Sequence, residues 1–464
     1  MLRRTRIVAT LGPATADPSV LRGVLEAGVD VVRCNLAHGS LDEHRRTLDD
    51  VRRTADEVGR TVATLVDLPG PKARTGPFPD GGVVLVEGDV VRLEGDGPSD
   101  ADTVCVGGAL RAALRPGDVL TLGDGAVTME VGGATARVVT GGRLQGRPGV
   151  ATRPERTPER TPTATDLDLV DALRDAPVDW VAVSFVRSAA DVEAVRSALG
   201  PAGPPVVAKV ETAEAVADLD AVVAAADGVM VARGDLGLRV PIEDLPFLQR
   251  RIIRTGLAAA KPVITATQML ESMVTAPTPT RAEVADIAAA VQDGTDALML
   301  SAETAIGHDP VGVVRTMARV AARAEAEVDP SGGGLHAAVT TGPGRVADAI
   351  AGAAWRAAAD ARVAAVVCWT RTGTTARAVA RLRPAAPLVG LTPSPVTARR
   401  LALTWGVLPV VEAIEPSPGA VAGAAVAHAR RLDLARPGDV VAVVAAASGR
   451  PGTPPDLLHL VEVD

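Results

Sequence analysis

The chain contains no tyrosine, and aromatic residues account for only 2% of its 464 residues. Sites for unpaired bases usually stack them on aromatic side chains, and surfaces that bind nucleic acid are usually basic. The formal net charge here is −8. The composition therefore argues against a nucleic-acid partner. An anionic small molecule would need a locally positive site, because the overall field does not attract it.

Cysteine is also scarce, with three residues, Cys34, Cys105 and Cys368, that lie far apart in the sequence. Their spacing argues against both a disulfide framework and a structural zinc site, and it fits the reducing cytoplasm. No uninterrupted apolar run reaches the ~20 residues of a membrane span, and the apolar stretch near the N-terminus is too short for a signal peptide. We therefore expect a cytoplasmic protein without a membrane partner.

Short apolar runs rich in β-branched residues alternate with longer amphipathic runs through the N-terminal two thirds of the chain. Such runs are typical of parallel strands that are buried on both faces. The predicted strands span residues 6–11, 30–36, 61–68, 180–186, 205–211, 227–232, 261–266 and 296–301. Eight strand–helix units predict a (β/α)8 barrel, whose functional residues lie at the C-terminal ends of the strands.

The alternation is interrupted after Asp67 by a stretch rich in glycine, aspartate and valine, which predicts a small β domain. It leaves the barrel at the functional end and could act as a lid. The segment 329–334 predicts a linker, and a third α/β unit follows it. The predicted division is barrel at residues 1–72 and 161–335, β lid at 73–160, and C-terminal α/β regulatory domain at 336–464.

Charged and hydroxyl side chains follow three successive strands of the predicted barrel. Lys209 and Glu211 alternate on one strand, and alone they are equally consistent with a structural ion pair. Asp235 follows the next strand in a glycine-flanked loop, which favours a functional site. Thr267 follows the third strand and could be a helix N-cap or a proton relay. Two carboxylates suit Mg²⁺, and an ammonium can neutralise charge on a phosphoryl group in transfer.

Two further groups of residues suit phosphate. Arg33 and Asn35 alternate on the second strand, although a lone arginine more often forms a surface ion pair. In the C-terminal unit, a glycine- and threonine-rich loop precedes a helix and could bind an effector phosphate, while an ordinary capped turn is at least as consistent with it. The residues of this loop are Thr370, Thr372, Gly373, Thr374 and Thr375.

Five long blocks of sequence occur in a characteristic order. They are Ile7–Ala14 (IVATLGPA), Ala182–Arg187 (AVSFVR), Val229–Gly237 (VMVARGDLG), Lys261–Met273 (KPVITATQMLESM) and Pro279–Val284 (PTRAEV). Together they resemble the pyruvate kinase family, and the likeness runs through almost the whole chain. The resemblance implies an α/β fold with a TIM barrel, an inserted small β-barrel lid and a C-terminal α/β domain.

The resemblance implies an enzyme that transfers a phosphoryl group from phosphoenolpyruvate to ADP in glycolysis, giving pyruvate and ATP. By position, Glu211 and Asp235 would hold Mg²⁺ or Mn²⁺. The implied catalytic residues are Lys209, Thr267, Arg33 and Arg74. The implied substrate contacts are Arg33, Lys209, Ser184, Gly234, Asp235 and Thr267. The implied nucleotide contacts are Pro13, Asn35, His38, Arg74 and Asp124.

The chain departs from the family where a monovalent cation is commonly bound. The corresponding positions are Asn35, Ala37, Asp67 and Leu68, so a hydroxyl ligand is missing. Lys72 stands where K⁺-dependent members carry glutamate. Members of the family with lysine at this position resemble the K⁺-independent kind. A fixed ammonium can replace a bound K⁺. The resemblance therefore predicts that K⁺ is not required and that Lys72 substitutes for it.

Two other interpretations remain open at the level of sequence. One is a diverged paralogue with weak activity that serves as a metabolite sensor. Departures from the family pattern, such as Arg239 and Ile306, would be consistent with this interpretation. The other is a Mg²⁺-dependent pyruvate-type aldolase, which can share the Lys-x-Glu…Asp pattern. The lid, the Lys261–Met273 block and the C-terminal unit argue against the aldolase. The family resemblance also suggests an allosteric homotetramer.

Overall fold

Eight parallel strands close into a barrel. The structure, a computed structural model, describes residues 3–328, 346–360, 363–414, 417–446 and 454–464, so the predicted linker at 329–334 lies outside the described residues. The barrel strands are β1 (Arg6–Thr10), β2 (Val31–Asn35), β3 (Ala63–Leu68), β12 (Trp180–Val183), β13 (Val206–Val210), β14 (Gly228–Ala232), β15 (Val263–Ala266) and β16 (Ala297–Leu300). Each pairs with the next, and β16 closes the ring against β1. The predicted barrel is confirmed.

The alternation of side chains along each strand separates two cores. On β3, Leu65 packs inside the barrel with residues such as Trp180, whereas Val66 and Leu68 pack outward against the surrounding helices. Asp67 lies between the two outward residues and therefore faces the interior. Because successive side chains of a strand point to opposite faces, the Asp67 carboxylate enters the barrel while the outer face of the strand stays apolar and buried.

Helices surround the barrel and connect its strands. They are α1 (Pro18–Glu26), α2 (Leu41–Glu57), α4 (Ala164–Ala172), α5 (Ala189–Leu199), α6 (Ala213–Ala217), α7 (Leu219–Ala225), α8 (Arg233–Gly237), α9 (Leu245–Ala258), α10 (Arg281–Asp293), α11 (Ala302–Ala305) and α12 (Pro310–Glu325). Several begin at a capping box written in the sequence, such as Ser40 with Glu43 and Thr280 with Glu283. The glycine-flanked segment around Asp235, expected to be a loop, is the short helix α8.

The insertion after β3 is an all-β unit with one short helix, α3 (Gly108–Ala113). Its strands are β4 (Val83–Leu85), β5 (Val90–Glu94), β6 (Thr103–Cys105), β7 (Val119–Leu122), β8 (Val127–Val131), β9 (Thr135–Thr140), β10 (Gly142–Leu144) and β11 (Val150–Arg153). Six of them form one sheet, and β10 pairs separately with β4. Leu85, Leu122 and Leu144 belong to one shared core, so the two sheets form a single small domain.

The C-terminal unit is a 5-stranded sheet with helices. Its strands are β17 (Ala365–Trp369), β18 (Leu388–Thr392), β19 (Val407–Val411), β20 (Val440–Ala445) and β21 (Leu457–Glu462). Its helices are α13 (Val346–Asp360), α14 (Thr374–Ala380), α15 (Pro395–Leu401) and α16 (Pro418–Arg431). Only β21 runs antiparallel to its neighbour within this sheet. The predicted fold class is therefore confirmed in all three parts.

The C-terminal unit packs on the N-terminal end of the barrel. Arg383 NH1 lies 3.1 Å from the Asp296 carboxylate just before β16, and Arg399 Nε lies 3.0 Å from the Asp179 carboxylate just before β12. Leu403 joins the core inside the barrel. The opposite, C-terminal end of the barrel carries Lys209, Glu211 and Asp235. In the described part of the chain, no helix has the length and apolar character needed to cross a bilayer.

Candidate active site

Lys209 is the centre of a buried ionic cluster at the C-terminal end of the barrel. Its Nζ lies 3.1 Å from Asp67 Oδ1 and 2.9 Å from Glu211 Oε1, and it donates a hydrogen bond of 2.7 Å to Ser184 Oγ. Asp67 also accepts a 2.7 Å hydrogen bond from Arg33 Nε. The strands β2, β3, β12 and β13 are consecutive neighbours in the barrel, which brings these side chains together although the sequence separates them widely.

The protonation states of this cluster follow from its charges. Burial alone would lower the pKa of Lys209, but the carboxylates of Asp67 and Glu211 outweigh it and hold that pKa above its usual range. Burial would raise the pKa of Asp67, yet Lys209 and Arg33 hold it below its usual range. Lys209 is therefore a fixed cation, aimed from a rigid strand at the open end of the barrel.

Glu211 and Asp235 are the two carboxylates available to a divalent cation. Burial raises the pKa of Glu211; Lys209 opposes the rise, and the charge of Asp235 adds to it. Glu211 Oε2 accepts from the Phe185 backbone N–H at 2.7 Å, and Lys72 Nζ lies 3.2 Å from Asp235 Oδ1. Oxygen ligands suit Mg²⁺ or Mn²⁺. A buried Glu211 whose charged form is disfavoured by the neighbouring, partly exposed Asp235 fits such an ion.

A protein-only metal cage is not formed here. Among the described residues, no group of three or more His, Cys, Asp or Glu side chains is arranged to hold a metal. A divalent ion at Glu211 and Asp235 would therefore need further ligands from a substrate or from water. This is the usual arrangement for Mg²⁺ in phosphoryl-transfer enzymes, which bind the ion through one or two carboxylates and substrate oxygens.

Thr267 lies beside Gly234 in a strained backbone conformation. Its Oγ1 accepts a 2.8 Å hydrogen bond from the Gly234 N–H and donates one of 2.6 Å to the Ala266 carbonyl. Thr267 and Gln268 have φ values of 70° and 54°, which are unusual for residues other than glycine and costly for a β-branched one. Such strain is common at functional sites. The alternative of Thr267 as a simple helix N-cap is wrong, because no helix starts there.

The neighbouring Arg233 is structural rather than open to a ligand. Its Nε donates to the Ala266 carbonyl at 3.2 Å, and NH1 lies 2.5 Å from the Asp286 carboxylate. Its side chain is buried. Arg233 therefore joins the segment after β14 to the segment after β15 and holds Gly234 against Thr267.

The insertion covers the rim of this site. The tip residue Gly125 lies close to Leu238 of the barrel, since a Cβ built on Gly125 would stand 3.9 Å from Leu238 Cδ2. Burial raises the pKa of Glu271, on the loop after β15, and the charge of neighbouring Asp124 contributes to the rise. Asp124 itself is exposed, as is Arg74, whose NH1 donates to the Arg147 carbonyl at 3.3 Å. The tip of the lid therefore lies against the segment after β14, while Asp124 and Arg74 stay exposed to solvent.

An ionic link between lid and barrel was not predicted from the sequence. Arg239 Nε lies 2.8 Å from Glu155 Oε2 on the return segment of the insertion, and both side chains are at most 7% exposed. Arg239 NH1 also donates to the Asp235 carbonyl at 3.0 Å, and its guanidinium lies over the Phe185 ring. The departure from the family pattern at Arg239 therefore has a local partner.

Replacing Arg239 by methionine should destabilise the protein by about 3 kcal/mol, because Glu155 would keep a buried charge without its partner. Denaturant unfolding of R239M, of Glu155→Leu and of the double variant would measure the pair. The double variant should recover most of the loss, since apolar replacement of both partners removes the unpaired charge. Equal stability of R239M and the unchanged protein would contradict this role.

The other predicted nucleotide contacts lie around the same end of the barrel. Pro13 opens a 3-10 helix (Pro13–Thr15) after β1 and is exposed. Asn35 ends β2, and its Oδ1 accepts a 3.2 Å hydrogen bond from the Ala37 N–H. His38 follows in the exposed turn. Whether these three residues contact a nucleotide stays a prediction.

Two positions of the predicted monovalent-cation region, Asp67 and Leu68, lie in different surroundings. Asp67 is fully occupied by Arg33 and Lys209, whereas the Leu68 side chain packs outward into the core between β3 and the helices. The Leu68 carbonyl accepts a 2.6 Å hydrogen bond from Ser184 Oγ. Of this set, Leu68 therefore offers no side-chain ligand, and its backbone oxygen already has a donor.

The threonine-rich loop of the C-terminal unit is separate from the barrel site. It connects β17 with α14, and its hydroxyls bond within the loop, with Thr370 Oγ1 accepting from the Gly373 N–H at 2.9 Å. Gly373 has a φ of 87°, which glycine adopts readily. Whether this turn binds an effector phosphate stays a prediction.

Two supporting residues also escaped the sequence reasoning in this role. Thr10 Oγ1, at the end of β1, accepts from Arg33 NH1 at 3.0 Å. Glu303 accepts from the Leu270 N–H at 3.1 Å and from the Ser301 N–H at 2.6 Å, so it joins the loops after β15 and β16. The signal that could have found Thr10 is its place at a strand end, two residues before a glycine.

Comparisons with known proteins match this arrangement over both large domains. The family model described as pyruvate kinase, barrel domain, matches residues 2–314, and the one described as pyruvate kinase, alpha/beta domain, matches residues 348–458. The chain belongs to the pyruvate kinase family. A pyruvate kinase from Methylorubrum extorquens is 40% identical over 460 residues, which is 97% of this chain and 95% of that protein.

Two further relatives agree with the family assignment. Pyruvate kinase 2 from Synechocystis is 40% identical over 458 residues, 96% of this chain and 76% of the relative. The crystal structure of a pyruvate kinase from Cryptosporidium parvum superimposes with a TM-score of 0.91 at 31% identity, covering 100% of this chain and 96% of that one. As a pyruvate kinase family member, the chain is a phosphotransferase that transfers a phosphoryl group from phosphoenolpyruvate to ADP, as in glycolysis. The expected family and reaction are confirmed.

Proposed function

We propose that the Lys209 cluster carries out the phosphoryl transfer of the family. The observation that supports this most is the fixed ammonium of Lys209, held within 3.1 Å of Asp67, Ser184 and Glu211 on a rigid strand. Negative charge spreads over the phosphoryl oxygens in the transition state, and a preorganised cation stabilises it without rearrangement. Ser184 and Asp67 would keep the ammonium in place.

Substrate binding would use both sides of this cluster. Arg33 and Arg74 would contact phosphate oxygens, with Arg33 held in position by Asp67. The Gly234 N–H and Thr267 hydroxyl, now bonded to each other at 2.8 Å, would turn to the substrate carboxylate. Thr267 would also belong to the route that protonates the enolate of pyruvate, because its hydroxyl can pass on a proton.

Glu211 and Asp235 would hold the divalent cation. When bound, Mg²⁺ or Mn²⁺ would supply positive charge that polarises phosphoryl and carboxylate oxygens. The two carboxylates differ in their present partners, since Glu211 is bonded to Lys209 and Asp235 to Lys72. The nucleotide would lie toward the lid and contact residues around the rim, namely Pro13, Asn35, His38, Arg74 and Asp124.

Lys72 would replace the monovalent cation of K⁺-dependent relatives. Its ammonium already lies 3.2 Å from Asp235 and is about one third exposed, so it adds a positive charge at the substrate side of the site. The Asn35 side-chain oxygen is bonded to the Ala37 N–H, and Ala37 offers no hydroxyl. This arrangement supports turnover without K⁺.

Replacing Lys72 by glutamate should therefore create K⁺ dependence. We expect full turnover of the unchanged enzyme in tetramethylammonium buffer, whereas K72E should lose about 10²-fold there and regain activity when K⁺ is added. Lys72→Met is the matched control, because it removes the ammonium without providing a new anionic ligand and should not respond to K⁺. Negligible turnover of the unchanged enzyme without K⁺, restored by K⁺, would contradict the proposal.

A coupled assay with lactate dehydrogenase, phosphoenolpyruvate, ADP and Mg²⁺ tests the proposed function directly. Rapid turnover supports an active enzyme, whereas binding of phosphoenolpyruvate with little turnover would favour the sensor interpretation. The C-terminal unit matched by a pyruvate kinase model argues against the aldolase. We also propose that the protein is a cytoplasmic homotetramer, and sedimentation would test its oligomeric state. The proposed domain boundaries lie at residues 72, 160 and 335, and limited proteolysis would test them.

A further inference from the structure

A cavity of about 470 Å³ lies between the barrel and the C-terminal unit. Its walls come from the outward faces of β3 and β12, from α4 and from α15. Most of its lining is apolar, with Val66, Leu68, Val170, Leu173 and Val181 among the contributors. Its volume lies within the range of roughly 300–1,000 Å³ that is typical of small-molecule sites.

Three arginines stand at the edge of this apolar space, Arg174, Arg399 and Arg400. Arg399 shares the Asp179 carboxylate with Arg52, so one anion serves two guanidinium groups. Arg400 Nε is buried, and it has no hydrogen-bond partner in the described part of the chain. Arg174 is paired with Asp171, so the positive charge that remains at the cavity lies on the Arg399–Arg400 side, where one donor has no partner.

The electrostatics of Arg400 agree with this description. Burial lowers the pKa of Arg400; Asp179 opposes the change, and Arg399 adds to it. The buried Nε has no surface open to the cavity, so an anion there would be received by the other nitrogens of Arg400, which is a residue of the cavity lining. The combination of an apolar wall and an unpaired guanidinium selects a ligand with an apolar body and one anionic group.

The cavity shares a strand with the catalytic cluster. Val66 and Leu68 line the cavity, while Asp67 between them faces inward and pairs with Lys209. The Leu68 carbonyl accepts from Ser184 Oγ at 2.6 Å, and Ser184 Oγ accepts from Lys209 Nζ at 2.7 Å. A displacement of β3 by a ligand would therefore reach Lys209 through two short hydrogen bonds.

We propose that this cavity is an allosteric site for a small anion with an apolar body, such as a medium-chain carboxylate. Arg400 receives the anion, the β3–α4 surface receives the apolar body, and occupancy changes the support of Lys209 by Asp67 and Ser184. The regulatory half of this proposal rests on the proposed function of Lys209. The site is distinct from the threonine-rich loop at Thr370–Thr375, which is not part of the cavity lining.

Fluorescence of 8-anilinonaphthalene-1-sulfonate, which has an apolar body and one sulfonate, reports binding independently of catalysis. We expect saturable binding that octanoate displaces and octan-1-ol displaces at least about tenfold less well, because loss of a charged hydrogen bond is worth about one factor of ten. Arg400→Gln should weaken binding by a similar factor. Arg137→Gln, an exposed substitution in the insertion, is the matched control and should bind as the unchanged protein does.

A cavity-filling variant tests the apolar half. Ala176→Phe, on the cavity wall, should reduce binding of the same fluorophore, while circular dichroism and a thermal melt verify its fold. Equal displacement by octanoate and octan-1-ol, or unchanged binding in both R400Q and a folded A176F, would overturn the site.

Kinetics test the coupling to Lys209. Saturating octanoate should change the KM for phosphoenolpyruvate in the unchanged enzyme, and this change should be absent in R400Q at the same concentration. An identical KM with and without bound octanoate would overturn the allosteric role. Failure of the proposed function would instead remove turnover in all variants while fluorophore binding persists, so the two failures are distinguishable.

Discussion

Replacing Lys209 by methionine should reduce kcat by about 10³-fold or more, the scale of a transition-state cation in phosphoryl transfer. Methionine retains the length and apolar stem of the side chain and removes only the ammonium. Phosphoenolpyruvate should still bind through Arg33 and the Gly234 region, so KM should change less than kcat. Steady-state kinetics in the lactate dehydrogenase assay would measure both values.

The chain itself offers a control for this substitution. It contains three lysines, Lys72, Lys209 and Lys261. Lys261 lies outside the site, and its Nζ donates to the carbonyls of Val223 and Ala224 at 2.7 and 2.6 Å at the end of α7. Lys261→Met should therefore lower the melting temperature and retain turnover, because a cation at a helix C-terminus stabilises the helix.

Loss of the Lys209 ammonium also leaves Glu211 with fewer compensating charges, so some destabilisation of K209M is expected. Arg33 still pairs with Asp67, which limits this effect. Circular dichroism at the assay temperature separates loss of fold from loss of chemistry. Substantial turnover of folded K209M, or of the equivalent alanine variant, would overturn the role assigned to Lys209.

Replacing Glu211 by glutamine should reduce kcat/KM by about 10²-fold or more and raise the Mg²⁺ concentration needed for half-maximal rate. The amide oxygen can still accept from the Phe185 N–H, so the local backbone should be preserved. What disappears is one of two anionic oxygens for the metal, and ligand changes at metal sites have effects of this size or larger. Titration of activity with Mg²⁺ and with Mn²⁺ measures the change.

Glu214→Gln is the matched control for this prediction. Glu214 lies three residues further along the chain, in the first turn of α6, and its side chain is exposed. The same change of charge there should leave the Mg²⁺ dependence unaltered. An unchanged metal dependence of E211Q would mean that Glu211 is a structural partner of Lys209 rather than a metal ligand.

The sequence was sufficient for the barrel and for the location of its site. Apolar strands such as Gly228–Ala232 are continuous because both faces are buried, and their alternation with amphipathic helices is a local pattern. Once strand order is known, residues at strand ends must meet at one end of the barrel. Lys209, Asp235 and Thr267 could therefore be expected at the same end of the barrel before any distance was known.

Contacts between distant segments were not predictable in the same way. The pair Lys72–Asp235 joins the last barrel residue before the lid to α8, and the pair Arg239–Glu155 joins the segment after α8 to the return segment of the lid. Nothing in the local pattern around Glu155 marks it as buried, because its burial depends on how the lid docks. The lid's approach to the barrel at Gly125 depends on the same docking.

What the sequence by itself determined was the fold class, the family and the chemical types gathered at the strand ends, because hydrophobic periodicity and motif order are properties of short segments. The tertiary structure alone decided which charges compensate one another. It placed Asp67 between Arg33 and Lys209, set Lys72 against Asp235, and left Arg400 without a hydrogen-bond partner for its buried Nε. The physical reason is that Coulomb and hydrogen-bond energies depend on separations in space, which strand order and domain docking fix and which sequence distance does not.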